Sequence, residues 1–244
     1  MKIGIKLGSM LITGGNGKVD VEYLNFVCEQ IAKLKKDGHQ VFLVTSGAIA
    51  SDQTPGRSEN ARASVGQGRL IRCFIDIMES YNINVAQLLP TYVHLQNKDS
   101  DYNHVFIEIL NDKKLLPVIN YNDPVDSREI KQLHYYADND NLLLAHSLVA
   151  KADLAIIAIS EKCFRDRQGA PIYQARLSEK QHLVSCCQGG NACGHGKEGM
   201  KTKIFVLCSL AEKKIRGIMA PGKEENFILR AVNQEPNFGL TIEP

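Results

Sequence analysis

The chain has 244 residues, 44% of them hydrophobic, and 29 basic residues stand against 27 acidic ones. That length and apolar share suffice for one large α/β domain, or two lobes on a shared sheet, around a sizeable core. The near-neutral balance gives no electrostatic reason to expect nucleic acid or an anionic membrane as partner.

No apolar run approaches the roughly 20 residues that cross a bilayer. The strand-like segment Lys2–Leu7 opens the chain with no visible signal peptide. Seven cysteines without framework spacing suit a reducing compartment, so a cytoplasmic location is expected. In chain order, Ile3–Leu7 predicts a strand and Val21–Lys35 a helix that Gly38 stops, followed by a strand at Val41–Val44. A helix over Arg69–Tyr81, a strand at Val85–Leu89, a helix over His104–Asn111 and a strand at Leu115–Asn120 continue the alternation. Leu142–Lys151 reads as a buried helix, Leu154–Ile159 as a strand, Thr202–Lys213 as a helix and Ile215–Ala220 as a strand before Gly222. This βαβα order predicts a three-layer α/β/α sandwich with a mostly parallel central sheet. Ligands in such folds sit beyond the carboxyl ends of the strands. Without repeats, low-complexity tracts or a Pro/Gly/Ser-rich linker, residues 1–244 read as a single domain.

Four polar clusters fall at those strand ends. Lys6-Leu7-Gly8-Ser9 can set an ammonium and backbone amides against phosphate oxygens, though a strand lysine beside a turn glycine looks the same in sequence. Thr45-Ser46-Gly47-Ala48-Ile49-Ala50 pairs small residues with a hydroxyl, which suits an anionic ligand or a plain βα connection. Val118-Ile-Asn-Tyr-Asn-Asp123 and Asp138-Asn-Asp-Asn141 concentrate Asx residues that are costly to bury without partners. The second of these leads into an apolar helix start, and N-capping alone needs one Asp, not several. Gly194-His-Gly-Lys-Glu-Gly-Met-Lys-Thr-Lys203 is a glycine-punctuated loop opening a helix, but not a P-loop.

In this order and these contexts, the clusters, together with Val65-Gly-Gln-Gly-Arg-Leu-Ile71, resemble the glutamate 5-kinases within the amino acid kinase family, over roughly residues 1–220. The resemblance implies the amino acid kinase fold, with residues up to about 150 forming an amino-acid-binding lobe and about 151–244 a nucleotide-binding lobe. It implies phosphorylation of the L-glutamate γ-carboxylate by ATP, with Mg²⁺ carried on the ATP phosphates and no direct protein metal ligands. Lys6 and Lys203 are then catalytic cations that flank the phosphates, and Asp140 orients both. Ser46, Gly47, Ala48, Asn120, Asp123, Asp138 and Asn139 bind the amino acid. Lys6, Gly8, Ser160, Gly199, Met200, Lys201, Thr202 and Lys203 bind the nucleotide. A homo-oligomer, dimer or tetramer, is also implied, with proline biosynthesis as the setting.

The chain departs from that pattern in three places. Ile159-Ser-Glu-Lys-Cys-Phe164 replaces the family's Thr-Asp and Gly-Leu-Tyr turn, and Glu198 replaces the first glycine of Gly-Gly-Met. Third, the link from Asp123 to Asp138 is longer than usual while the loop after Ala50 is shorter. Separately, the extra C-terminal PUA domain of many relatives is not expected in this chain. A divergent kinase with another carboxylate or phosphate acceptor, or a catalytically weak regulatory relative, are the competing readings. Cys186, Cys187, Cys193 and His195 lie within ten residues but lack zinc spacing. His94, Asp99 and Asp101 read as a solvated loop rather than a metal cluster.

Overall fold

The computed structural model describes residues 1–13, 17–96, 100–126, 139–187 and 197–244. Alternate residues of its central strand, β1 (Lys2–Leu7), decide the layering. Ile3, Ile5 and Leu7 enter one apolar layer, while Gly4 and Lys6 face the other side. The next strand, β2 (Gln40–Val44), repeats this, with Val41 and Leu43 on the first side and Phe42 and Val44 on the second. Then follow β3 (Asn84–Leu88), β4 (Leu115–Ile119), β5 (Leu154–Ile159) and a small hairpin of β6 (Phe164–Arg165) with β7 (Pro171–Ile172). The chain closes with β8 (Gln174–Arg176), β9 (Arg216–Pro221) and β10 (Leu240–Glu243).

Eight of these strands form one sheet in the order β3-β4-β2-β1-β5-β9-β10-β8. All neighbours from β3 to β9 run parallel, β10 runs antiparallel to β9, and β8 runs parallel to β10. The carboxyl ends of β1, β2, β4 and β5 therefore open on one side, with β1 at the centre. The three-layer, mostly parallel architecture read from the sequence is the one observed.

The helices of the described residues are α1 (Ser9–Ile12), α2 (Val21–Lys36), α3 (Glu59–Glu79), α4 (Tyr92–Gln96) and α5 (Asp101–Asn111). They continue with α6 (Asn139–Ala150), α7 (Lys180–Cys186), α8 (Lys197–Glu212) and α9 (Phe227–Val232). One face of the sheet is covered by α2, α3 and α9, which contribute Leu24, Val27, Ile31, Phe74 and Phe227 to its core. The other is covered by α5, α6 and α8 through Phe106, Leu143 and Leu207. Gly4 permits a close approach here. A Cβ at that position would lie 2.4 Å from Phe42 Cζ and 2.9 Å from Leu143 Cδ1, so α6 rests directly on β1. None of the helices among the described residues is long and apolar enough to cross a membrane.

Element boundaries differ from the sequence reading where side chains are small. The helix expected from Arg69 starts at Glu59, with Ser58 accepting from the Ala61 amide at 3.3 Å. Its buried stripe there consists of Ala63, Gly66 and Gln67, which carry little hydropathic signal. The helix expected from Thr202 is already formed at Lys197.

Candidate active site

A buried carboxylate holds two ammonium groups at the centre of the carboxyl edge. Asp140 stands in the first turn of α6, where the helix dipole favours an anion, and its side chain is fully shielded from solvent. Lys6 Nζ lies 2.8 Å from Asp140 Oδ1, and Lys203 Nζ donates to Oδ2 at 2.7 Å. Burial pushes the Asp140 carboxyl up, but the two ammonium groups outweigh it and hold the group below its ordinary range. Lys203 also donates to the Gly199 carbonyl, 3.3 Å away and one turn earlier on α8. Three segments separated by more than 60 residues thus meet at one carboxylate.

These cations face a cleft of 260 Å³ walled by Gly8 and Ser9 after β1, Ser46 after β2, and Ser160 and Glu161 after β5. From α8 the wall takes Gly199 and Met200 as well as Lys203. Lys201 and Thr202 are half-buried and are not among the described residues of that wall; all four positions from Gly199 to Thr202 are helical rather than part of a loop. Ser160 is exposed and donates to Glu161 Oε2 at 3.1 Å. Larger cavities of 420, 530 and 560 Å³ lie elsewhere, but none combines paired cations with glycines and hydroxyls in this way.

On the β2 side, Asn139 Nδ2 donates to Ser46 Oγ at 3.0 Å, tying the start of α6 to the Ser46 loop. Gly47 has φ +94°, a left-handed conformation that bends the chain immediately after the hydroxyl. Ala48 is buried, and a Cβ on Gly66 would meet its carbonyl oxygen at 1.7 Å, so only glycine lets α3 touch the loop. Asn120, buried at the end of β4, accepts from the Tyr121 amide at 3.0 Å. Gln67 of α3 donates to the Tyr121 carbonyl at 2.8 Å, and Asn60 donates to the Asp123 carbonyl. The half-buried Asp123 carboxyl is pushed up to about 6, first by burial and then by the charge of Glu59. Asp138 lies outside the described residues, as do Asp99, Cys193 and His195; Cys186 and Cys187 are buried in the core beside α8. His94 accepts from the Thr91 amide through Nδ1 at 3.1 Å.

Sequence reasoning did not single out the support behind the Ser46 loop. Asp52, with a side chain 1% exposed, accepts from Thr54 Oγ1 and Arg57 Nη1, both at 2.8 Å, and from Arg69 Nη1 at 3.2 Å. The Arg57 hydrogen bond holds its carboxyl below the usual range against the burial that pushes it up. Arg62 donates through Nε to the Asp52 carbonyl at 2.6 Å and through Nη2 to the Ile49 carbonyl at 3.2 Å. Arg69 stands in the Val65–Ile71 segment, but no spacing pairs it with Asp52, Arg57 or Arg62, so only the fold reveals this grouping.

Residues 1–220 match the amino acid kinase family. The chain is 31% identical over 248 residues to a glutamate 5-kinase of Aliivibrio fischeri (strain ATCC 700601 / ES114), covering 96% of this chain and 66% of that protein. It is 32% identical over 242 residues to the glutamate 5-kinase of Syntrophus aciditrophicus (strain SB), covering 93% and 62% respectively. It thus spans just under two thirds of the length of these curated relatives. The carbamate kinase from Giardia lamblia bound to AMP-PNP superposes with a TM-score of 0.68 over 99% of this chain and 98% of that one; at 12% identity the likeness is one of fold. With the ion triplet at its strand ends and that match over most of its length, the chain belongs to the amino acid kinase family.

Proposed function

We propose that the protein is a glutamate 5-kinase, transferring the γ-phosphoryl group of ATP to the side-chain carboxylate of L-glutamate to give glutamyl 5-phosphate, the first step of proline biosynthesis. The observation that carries this reading is the Asp140 carboxylate clamping Lys6 and Lys203 at the cleft between the Ser46 and Ser160 loops. Support for glutamate as acceptor comes from the relatives bearing that name and from the mixture of donors and acceptors on the β2–β4 side.

In phosphoryl transfer, positioning and charge stabilisation supply most of the catalysis. Lys6 approaches from β1 and Lys203 from α8, so the two ammonium groups flank the transferring phosphoryl oxygens and meet the charge that spreads over them. Asp140 fixes both and acts as an orienting group rather than a base. No base is required, because a free glutamate side chain, with a pKa of about 4.3, is already ionised near neutrality. Mg²⁺ carried by the ATP phosphates neutralises part of their charge. The site fits a metal held by phosphate rather than by protein, since both Asp140 oxygens are already taken by lysines. Gly8, Ser160 and the Gly199–Lys203 stretch of α8 hold the nucleotide. Ser46, the Gly47 and Ala48 amides, Asn120, Asp123, Asp138 and Asn139 hold the amino acid. The acceptor side then belongs to residues up to about 150 and the nucleotide side to 151–244, in a cytoplasmic homo-oligomer.

The deciding measurement is ADP release in a coupled assay across glutamate, aspartate, N-acetylglutamate, carbamate and UMP. Turnover with glutamate alone supports the proposal; turnover only with another acceptor overturns it in favour of a divergent kinase.

A further inference from the structure

We propose that Asp52 is a positioning residue for the acceptor: its buried carboxylate, held by Thr54, Arg57 and Arg69, sets the shape of the Ser46–Ala48 segment that receives the acceptor carboxylate. This rests on the reading of Ser46, Gly47 and Ala48 as acceptor contacts.

The connection runs through consecutive hydrogen bonds. Ser51, next to Asp52, donates from Oγ to the Gly47 carbonyl at 2.6 Å and from its amide to the same oxygen at 2.9 Å. Those bonds turn the carbonyl of Gly47 back toward Ser51, fixing the peptide that joins Gly47 to Ala48. Arg69 Nη1 bridges the Ser51 carbonyl, at 2.8 Å, and Asp52 Oδ1. Arg62 takes the carbonyls of Ile49 and Asp52, so every residue from Ile49 to Asp52 except Ala50 offers an oxygen to an arginine. All three arginines also depend on α3 or its approach, and α3 is held to the β4 loop by Gln67 and Asn60. A carboxylate inside this cage satisfies two guanidinium groups that otherwise compete for the loop carbonyls. Replacing it by an amide keeps the volume but removes the charge and one of the two acceptor oxygens, so either Arg57 or the Arg69–Thr54 side meets an NH₂ group that cannot accept from it. The loop relaxes, and the Ala48 amide, which shares its peptide with the Gly47 carbonyl, loses its fixed direction. The ion pairs and hydrogen bonds described above for Lys6 and Lys203 go to Asp140 and the Gly199 carbonyl, not to this cage.

The test is Asp52→Asn with Arg57→Ala and Arg57→Lys alongside, measured with glutamate and ATP and by amide hydrogen exchange in the free protein. KM for glutamate is expected to rise about tenfold in Asp52→Asn, the effect of weakening one hydrogen bond to a charged group in the ground state. KM for ATP and kcat should change less than about threefold. Exchange of the amides from Gly47 to Ser51 should accelerate while those of β1 and β5 stay protected. Arg57→Ala should show a smaller effect of the same kind, and Arg57→Lys should restore part of it. A proportional change in both KM values and kcat, or an unchanged KM with unchanged loop exchange, overturns the assignment. If the wild-type protein proves inactive with glutamate, the proposed function fails while the exchange experiment still decides whether Asp52 shapes the loop.

Discussion

Replacing Asp140 by Asn separates binding from catalysis at this site. The wild-type triplet of Lys6, Asp140 and Lys203 carries a net charge of +1; the variant carries +2. Two ammonium groups that share one carboxylate lie roughly 5 Å apart, and at an effective dielectric constant of about 20 they repel by about 3 kcal/mol once that carboxylate is gone. Breaking a buried ion pair from one side costs about 3–5 kcal/mol. Lys203, whose side chain is 16% exposed, can swing toward solvent, so the lower end of that range is expected. Free ATP phosphates meet two uncompensated cations in Asp140→Asn, so nucleotide affinity is expected to hold or rise. Turnover is expected to fall by about 10²–10³-fold, the effect of losing one fixed donor at a developing charge, because the single amide oxygen can hold only one of the two ammonium groups. Steady-state ADP release, calorimetric titration with ATP and a thermal melt give the three quantities. Turnover within about threefold of the wild type, or a loss of ATP affinity that matches the loss of turnover, refutes the orienting role.

Two further predictions concern pH. His146 is fully buried on α6; its Nδ1 lies 2.7 Å from the Leu142 carbonyl, which can only accept, so the proton resides there and Nε2 accepts from Tyr102 Oη at 2.7 Å. Burial pushes this imidazole down to about 4 from an ordinary 6.5. The unfolded chain therefore takes up a proton that the folded chain refuses, and His146 subtracts stability progressively as pH falls from about 6.5 to about 4, by about 3 kcal/mol in all. Denaturant titrations across that range should show a shallower slope in His146→Gln; an identical slope in both proteins refutes the assignment. Asp123 moves in the opposite sense, its carboxyl holding a proton up to about pH 6. An acceptor ammonium needs it ionised, so KM for glutamate should fall as pH rises through about 6 and then level off. Asp123→Asn should abolish that dependence, and a KM profile with the same inflection in the variant refutes the contact.

The strands were legible because both faces of β1, β2 and β5 are covered, which writes them as short apolar runs such as Leu154–Ile159. Lys6 was carried by the family resemblance, since a strand-end lysine beside a turn glycine is ordinary by itself, whereas the Asx set around Asp140 stood out because an apolar helix start needs one N-cap and not several polar groups. Lys203 was found by its motif and stands in the helix read from Thr202, but the start of α8 at Lys197 was hidden, because glycines at 194, 196 and 199 suggest a loop. The first half of α3 was hidden by small residues, whose value lies in close contact rather than in apolar area. The last strand, β10, was missed because Leu240–Glu243 is too short to show a period. The Asp52 cage was beyond sequence reading altogether, since no local rule pairs Asp52 with Arg57 and Arg69 while giving Arg62 to backbone oxygens.

Gly4 and Lys6 point to the same face of β1, two residues apart, and α6 lies across both. The absent side chain at position 4 acts as a spacer of zero thickness: it sets how low α6 can settle over the strand. The height of that helix in turn fixes how far the Asp140 carboxylate stands from the Lys6 ammonium. The charge geometry of the cleft is therefore gauged by hydrocarbon contact between Phe42, Leu143 and bare backbone, well inside the protein and out of reach of either substrate.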